Sequence, residues 1–113
     1  MNDLSKADRR AAREIIEKGL QQEFTSGLNQ FLAILTNWKE NKTDNRETYH
    51  TLYQSVRDYD KHITRRYDNM KGSAYLFIIA GQLVDEAIST DDINTLSDDS
   101  KQVVLRIVDF ANR

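Results

Sequence analysis

The 113-residue chain has no cysteine, no proline, only four glycines (Gly19, Gly27, Gly72 and Gly81) and no apolar run of membrane-spanning length. Without cysteine there is no disulfide framework, no thiolate metal site and no cysteine nucleophile. Without proline nothing forbids long, uninterrupted helices. No segment approaches the ~20 apolar residues of a transmembrane helix, so no membrane partner is expected. The opening Met1-Asn2-Asp3-Leu4-Ser5-Lys6 lacks a signal-peptide stretch, and a cytoplasmic location is the default expectation. An excess of one charge is also missing: sixteen Lys and Arg face eighteen Asp and Glu, a formal net charge of −2. That balance argues against a surface built wholly for nucleic acid or anionic lipid.

What is present is a chain that is 39% hydrophobic and 30% charged. That describes one globular domain over 1–113, with its apolar residues too regularly placed for a disordered segment. No strict apolar–polar alternation bounded by hairpin turns occurs. Apolar residues instead recur in steps of three and four. Ala7, Ala11, Ala12, Ile15, Ile16, Leu20, Phe24, Leu28, Phe31, Leu32, Leu35 and Trp38 predict a first helix over about 6–39, capped by Ser5. Tyr49, Leu52, Val56, Tyr59, Ile63 and Met70 give a second helix, 46–70, with one narrow apolar seam. Leu76, Ile79, Ala80, Leu83, Val84, Ala87 and Ile88 give a third, 74–89, nearly apolar all round at its start and therefore central. A short helical turn near 91–96 precedes a last helix, 98–112, whose Asp98 and Asp99 suit the positive end of its dipole. The expected fold is an all-α antiparallel bundle of four main helices, with Phe31, Leu35 and Trp38 closing one end.

Length constrains the first helix. A compact domain of this size is ~13 Å in radius of gyration, whereas 34 helical residues span ~50 Å. Either the helix is kinked or broken near 25–27, or the molecule is elongated. On a helical wheel Ala7, Ala11 and Ile15 face one way and Phe24, Phe31 and Leu35 nearly the other, so its two halves must bury different sides.

Few constellations suggest chemistry. Glu47 and His50 have the Glu-x-x-His spacing of di-iron bundles, but no second motif accompanies them and Glu47 falls opposite the seam. His50 and His62 are ~18 Å apart along one helix and cannot share a metal. Asp60 is the one acid that the spacing places inside an apolar seam, as a general base or as one half of a structural pair. Tyr49, Tyr53, Tyr59, Tyr67 and Tyr75 form a candidate interaction surface. Lys6, Arg9, Arg10 and Arg13 make a basic stripe, read first as a solvated face because Asp8, Glu14 and Glu17 interleave with it. Charge is uneven along the chain, with three positive and seven negative residues over 74–113. No catalytic residue, metal ligand or cofactor is assigned. The expected function is non-enzymatic: interaction with another protein or with itself, as a homodimer. The alternatives are a nucleic-acid-associated regulator using the basic stripes on helices 1 and 2, the second formed by Lys61, Arg65 and Arg66, and a metal or catalytic site around Asp60 or Glu47 and His50.

Overall fold

The computed structural model describes residues 4–68 and 70–113. Among them the regular elements are all helical: α1 (Lys6–Lys39), α2 (Asn45–Tyr67), α3 (Tyr75–Val84) and α4 (Asp98–Ala111), with 3-10 turns at Gly72–Ala74 and Thr90–Thr95. Each long helix that follows a polar stretch starts on a side-chain cap. Ser5 Oγ accepts from the Asp8 N–H (3.0 Å), Asp44 Oδ1 from the Glu47 N–H (2.7 Å) and Ser97 Oγ from the Ser100 N–H (3.3 Å). These bonds satisfy donors that a helix start leaves free.

Two helices are shorter than their apolar spacing predicts. α3 stops at Val84, not at 89, because Glu86 turns left-handed (φ 61°) and the Ala87 N–H closes onto the Gln82 carbonyl at 2.8 Å. Leaving the helix there lets Ile88, Ile93 and Leu96 return to the core, where all three are buried. α2 stops at Tyr67, not at 70; Arg66 and Tyr67 are engaged by Glu23 of α1, and Met70 lies outside the helix.

α1 is unbroken through Thr25-Ser26-Gly27. The alternative to a kink holds instead: the molecule measures 54 × 27 × 24 Å, with a radius of gyration of 17.4 Å. Its core lies wholly at one end. Ala11, Ala12, Ile15 and Ile16 of α1 pack with Leu76, Ile79 and Ala80 of α3, Val104 of α4, and Ile88, Ile93 and Leu96 of the connection. α3 is the most buried helix, as its composition requires.

Asp8 fastens the start of α1 to the start of α4. Its buried carboxylate accepts from the Ser97 N–H (2.7 Å), Ser97 Oγ (2.5 Å) and Ser100 Oγ (2.6 Å). Burial alone would raise this carboxyl, but the hydrogen bonds from Ser100 and Ser97 outweigh it and hold the group below its ordinary range. A negative charge at a helix N-terminus is favoured by the dipole as well.

Past the core, the second half of α1 pairs mainly with α2, as an antiparallel arm. Phe31 meets Tyr59 edge to face at 6.1 Å, and Trp38 Nε1 donates to Asn45 Oδ1 at 2.7 Å. Phe31, Leu35 and Trp38 therefore do not close an end of the bundle. They run along the arm, where Leu35 and Trp38 stay exposed, because α3 is too short to reach them.

Candidate functional site

Gly19, Glu23 and Gly27 follow one another at steps of four on α1, a single line along the helix. Both glycines are buried at places where a neighbour comes too close for a side chain. A Cβ on Gly19 would overlap the Gln82 amide, and one on Gly27 would sit 2.6 Å from the Tyr59 ring. Between them Glu23 is 4% exposed and forms the centre of a polar cluster. Its Oε1 accepts from Arg66 Nη1 (2.6 Å) and Tyr67 OH (2.8 Å), and its Oε2 lies 2.7 Å from His62 Nε2. The Glu23 carbonyl takes the Tyr59 hydroxyl, and Arg66 also pairs with Asp85 at the end of α3. Gln82 Nε2 completes the cluster, donating to Tyr67 OH (2.8 Å) and the Ile16 carbonyl (3.0 Å).

The electrostatics agree with the geometry. Burial pushes the Tyr67 hydroxyl well above the usual phenol range, so it remains a donor to Glu23. Burial also raises Tyr59, helped by the Glu23 charge. Arg66 is lowered by its own burial, but hydrogen bonds to Asp85 and Glu23 more than reverse this and keep it charged. Both Glu23 oxygens are occupied by donors of the same chain. The cluster is a clamp joining α1, α2 and α3.

Asp60, expected in a seam, is exposed. The α1-facing stripe of α2 is Thr48, Leu52, Ser55, Tyr59, His62 and Arg66, and Asp60 is one position past it, ~100° around the helix. The buried acids are Glu23 and Asp8 instead. The tyrosine group is split. Tyr59 and Tyr67 turn toward Glu23, Tyr75 is buried with its hydroxyl accepting from Arg13 Nε (3.3 Å), and Tyr49 and Tyr53 are open to solvent. Glu47 and His50 are both exposed. Among the described residues no group of three or more His, Asp or Glu side chains is placed to hold a metal. Of the basic stripe, Lys6, Arg10 and Arg13 are exposed and Arg9 is half-buried.

Eight of the thirteen exposed large hydrophobic residues among those described lie on the arm. Leu28 is 65% exposed, Leu32 59%, Tyr49 77% and Tyr53 56%, and Phe24, Leu35, Trp38 and Val56 are exposed beside them. On α1, Leu28 lies roughly 160° around the axis from the core residue Ala12, so this stripe faces away from α3 and α4. It also lies roughly 90–100° to one side of Gly27, the point of contact with α2. On α2, Tyr49, Tyr53 and Val56 stand off by roughly 90° from Tyr59, the residue that contacts Gly27. In antiparallel helices these two rotations lead to the same side of the pair. Leu35 and Trp38 of α1 and Tyr49 and Leu52 of α2 accordingly line one shared apolar groove. From Phe24 to Trp38, fifteen residues, the chain has no charged side chain at all, although 30% of the whole is charged. Depletion of charge around aromatic and aliphatic residues is the composition of an interface centre.

The spacing of apolar residues singled out the second face of α1 at Phe24, Phe31 and Leu35, but not Glu23. The available signal was the pair of glycines, since glycine in a helix interior costs ~1 kcal/mol and marks a close approach. Among the described residues no helix is long and apolar enough to cross a membrane. Compared with protein-family models, curated proteins and solved structures, the chain matches none.

Proposed function

We propose that this chain acts non-enzymatically, by protein–protein contact through the apolar side of the α1–α2 arm, and that the partner is a second copy of itself. The observation that carries the reading is the uncharged, exposed Phe24–Trp38 face with Tyr49, Tyr53 and Val56 beside it. At ~150–250 Å² per large side chain, eight such residues about half exposed leave on the order of 800 Å² uncovered. Monomers rarely expose more than a few hundred Å² in one patch, and a standard interface covers ~800 Å² per partner. The α1 side of this face carries no charge, while its α2 side is edged by Arg57, over the Tyr53 ring, and by Asp60. A mostly uncharged apolar face favours a like apolar face, and a two-fold axis presents the same patch on both copies. Two arms joined in this way form four antiparallel helices around one apolar centre.

Light-scattering mass across micromolar concentrations tests the proposal. The expected result is a dimer for the natural chain and a monomer for Leu28→Glu/Leu32→Glu, with unchanged helicity, because both leucines lie off the core. A natural chain that is monomeric throughout would overturn self-association.

A further inference from the structure

At the opposite end of the molecule, the first turns of α1 and the 3-10 turn that leads into α3 enclose a pocket of about 470 Å³, lined by Leu4, Arg9, Arg13, Lys71, Gly72, Ser73 and Tyr75. Among the described residues that line it, three are cations and none is a carboxylate. By contrast, Arg66 and Lys18 each meet an acid, at Glu23 and Asp85 and at Asp92. Arg9 and Arg13 instead donate to neutral oxygens: Arg9 Nη2 to the Leu4 carbonyl and Arg13 Nε to Tyr75 OH, both at 3.3 Å. Those bonds hold both guanidinium groups in position without neutralising either. Arg9 Nε is buried and has no acceptor among the described residues. A buried donor on a charged group is costly to leave unmet. Tyr75 OH, having accepted from Arg13, keeps its own proton to donate, and the Ser73 hydroxyl lies on the same wall.

We infer that this pocket is an anion site for a small phosphate monoester. Arginine pairs and lysine are the side chains that recognise phosphoryl oxygens, arginine through its planar fork and lysine as a point charge. Three positive charges and two hydroxyls suit a dianion with three free oxygens better than a carboxylate with two. The volume falls in the range of small-molecule sites and leaves room beside the phosphoryl group, against Leu4, for a compact organic group. The preset arginines lower the ordering cost of binding. The site is separate from the arm, so its occupancy and the oligomeric state are read independently.

The test is a titration of the full chain at constant ionic strength, following the Nε–H signals of Arg9 and Arg13 and the Ser73 amide by NMR. The probes are inorganic phosphate, glycerol phosphate, a phosphoserine peptide and chloride. The expected result is a saturable shift of these three signals with phosphate and glycerol phosphate, tighter for the latter, and no response to chloride. Arg13→Gln/Lys71→Gln should weaken binding at least ~10-fold, with the helicity in the absence of phosphate unchanged, since both side chains lie off the core. Equal responses to chloride and phosphate, or affinity unaffected by the double substitution, would overturn the site. Equal affinity for both phosphates would overturn the monoester assignment, and tighter binding of the phosphopeptide would overturn the small-molecule source.

Discussion

Replacing Glu23 tests whether the polar cluster is the clamp its geometry describes. Glu23→Ala removes the acceptor of Arg66 Nη1 and Tyr67 OH and the partner of His62 Nε2. Breaking one side of a buried ion pair costs about 3–5 kcal/mol. Arg66 keeps Asp85, which is about half exposed, and His62 is partly open to water, so the lower end applies, about 3 kcal/mol. At roughly 4 °C per kcal/mol for a chain of this length, the melting temperature should fall by about 12 °C. Glu23→Gln keeps an acceptor for Arg66 and Tyr67 but loses the charge, and should cost about 1–2 kcal/mol. The assay is urea unfolding followed by far-UV circular dichroism, on the Leu28→Glu/Leu32→Glu background so that association does not enter. Asp60→Ala is the control and should stay within about 0.5 kcal/mol of the parent. If Glu23→Ala cost no more than Asp60→Ala, the clamp would be wrong.

The remaining predictions concern the glycine contact and the helix tie. Gly19→Ala should gain ~1 kcal/mol of helix propensity yet destabilise overall by about 1–3 kcal/mol, because the new methyl displaces Gln82 from Ile16 and Tyr67; a raised urea midpoint would contradict the packing. Asp8 has a folded-state pKa below its unfolded value, so its contribution is complete above the unfolded pKa and is lost as pH falls through the folded one. Asp8→Asn should therefore cost about 1–3 kcal/mol near neutrality and flatten the loss of stability below about pH 4; parallel pH profiles for the two proteins would refute this.

The helical period was legible because burial along α1, α3 and α4 repeats at the pitch of the backbone itself. Caps at Ser5, Asp44 and Ser97 were equally local, each side chain meeting an N–H three residues on. The end of α3 was not, since apolar spacing continues through Ile88 while the chain leaves the helix at Glu86 to place Ile88 and Ile93 in the core. Asp60 was misplaced for a related reason. α2 has so few apolar residues that its inward face is set by Tyr59, His62 and Arg66, polar groups drawn to Glu23, and hydrophobicity does not register that attraction.

By itself the order of residues determined the all-helical class, the four long segments and the need for α1 to be either bent or longer than its own core. Each follows from neighbours within a turn or two. Only the tertiary structure decided that α1 stays unbroken, that Glu23 and Asp8 and not Asp60 are the buried acids, and that the arm stands clear with Leu28 and Leu32 in solvent. Those outcomes depend on which helices reach which level of α1: α3 spans ten residues against thirty-four in α1, and that difference in reach leaves the arm uncovered.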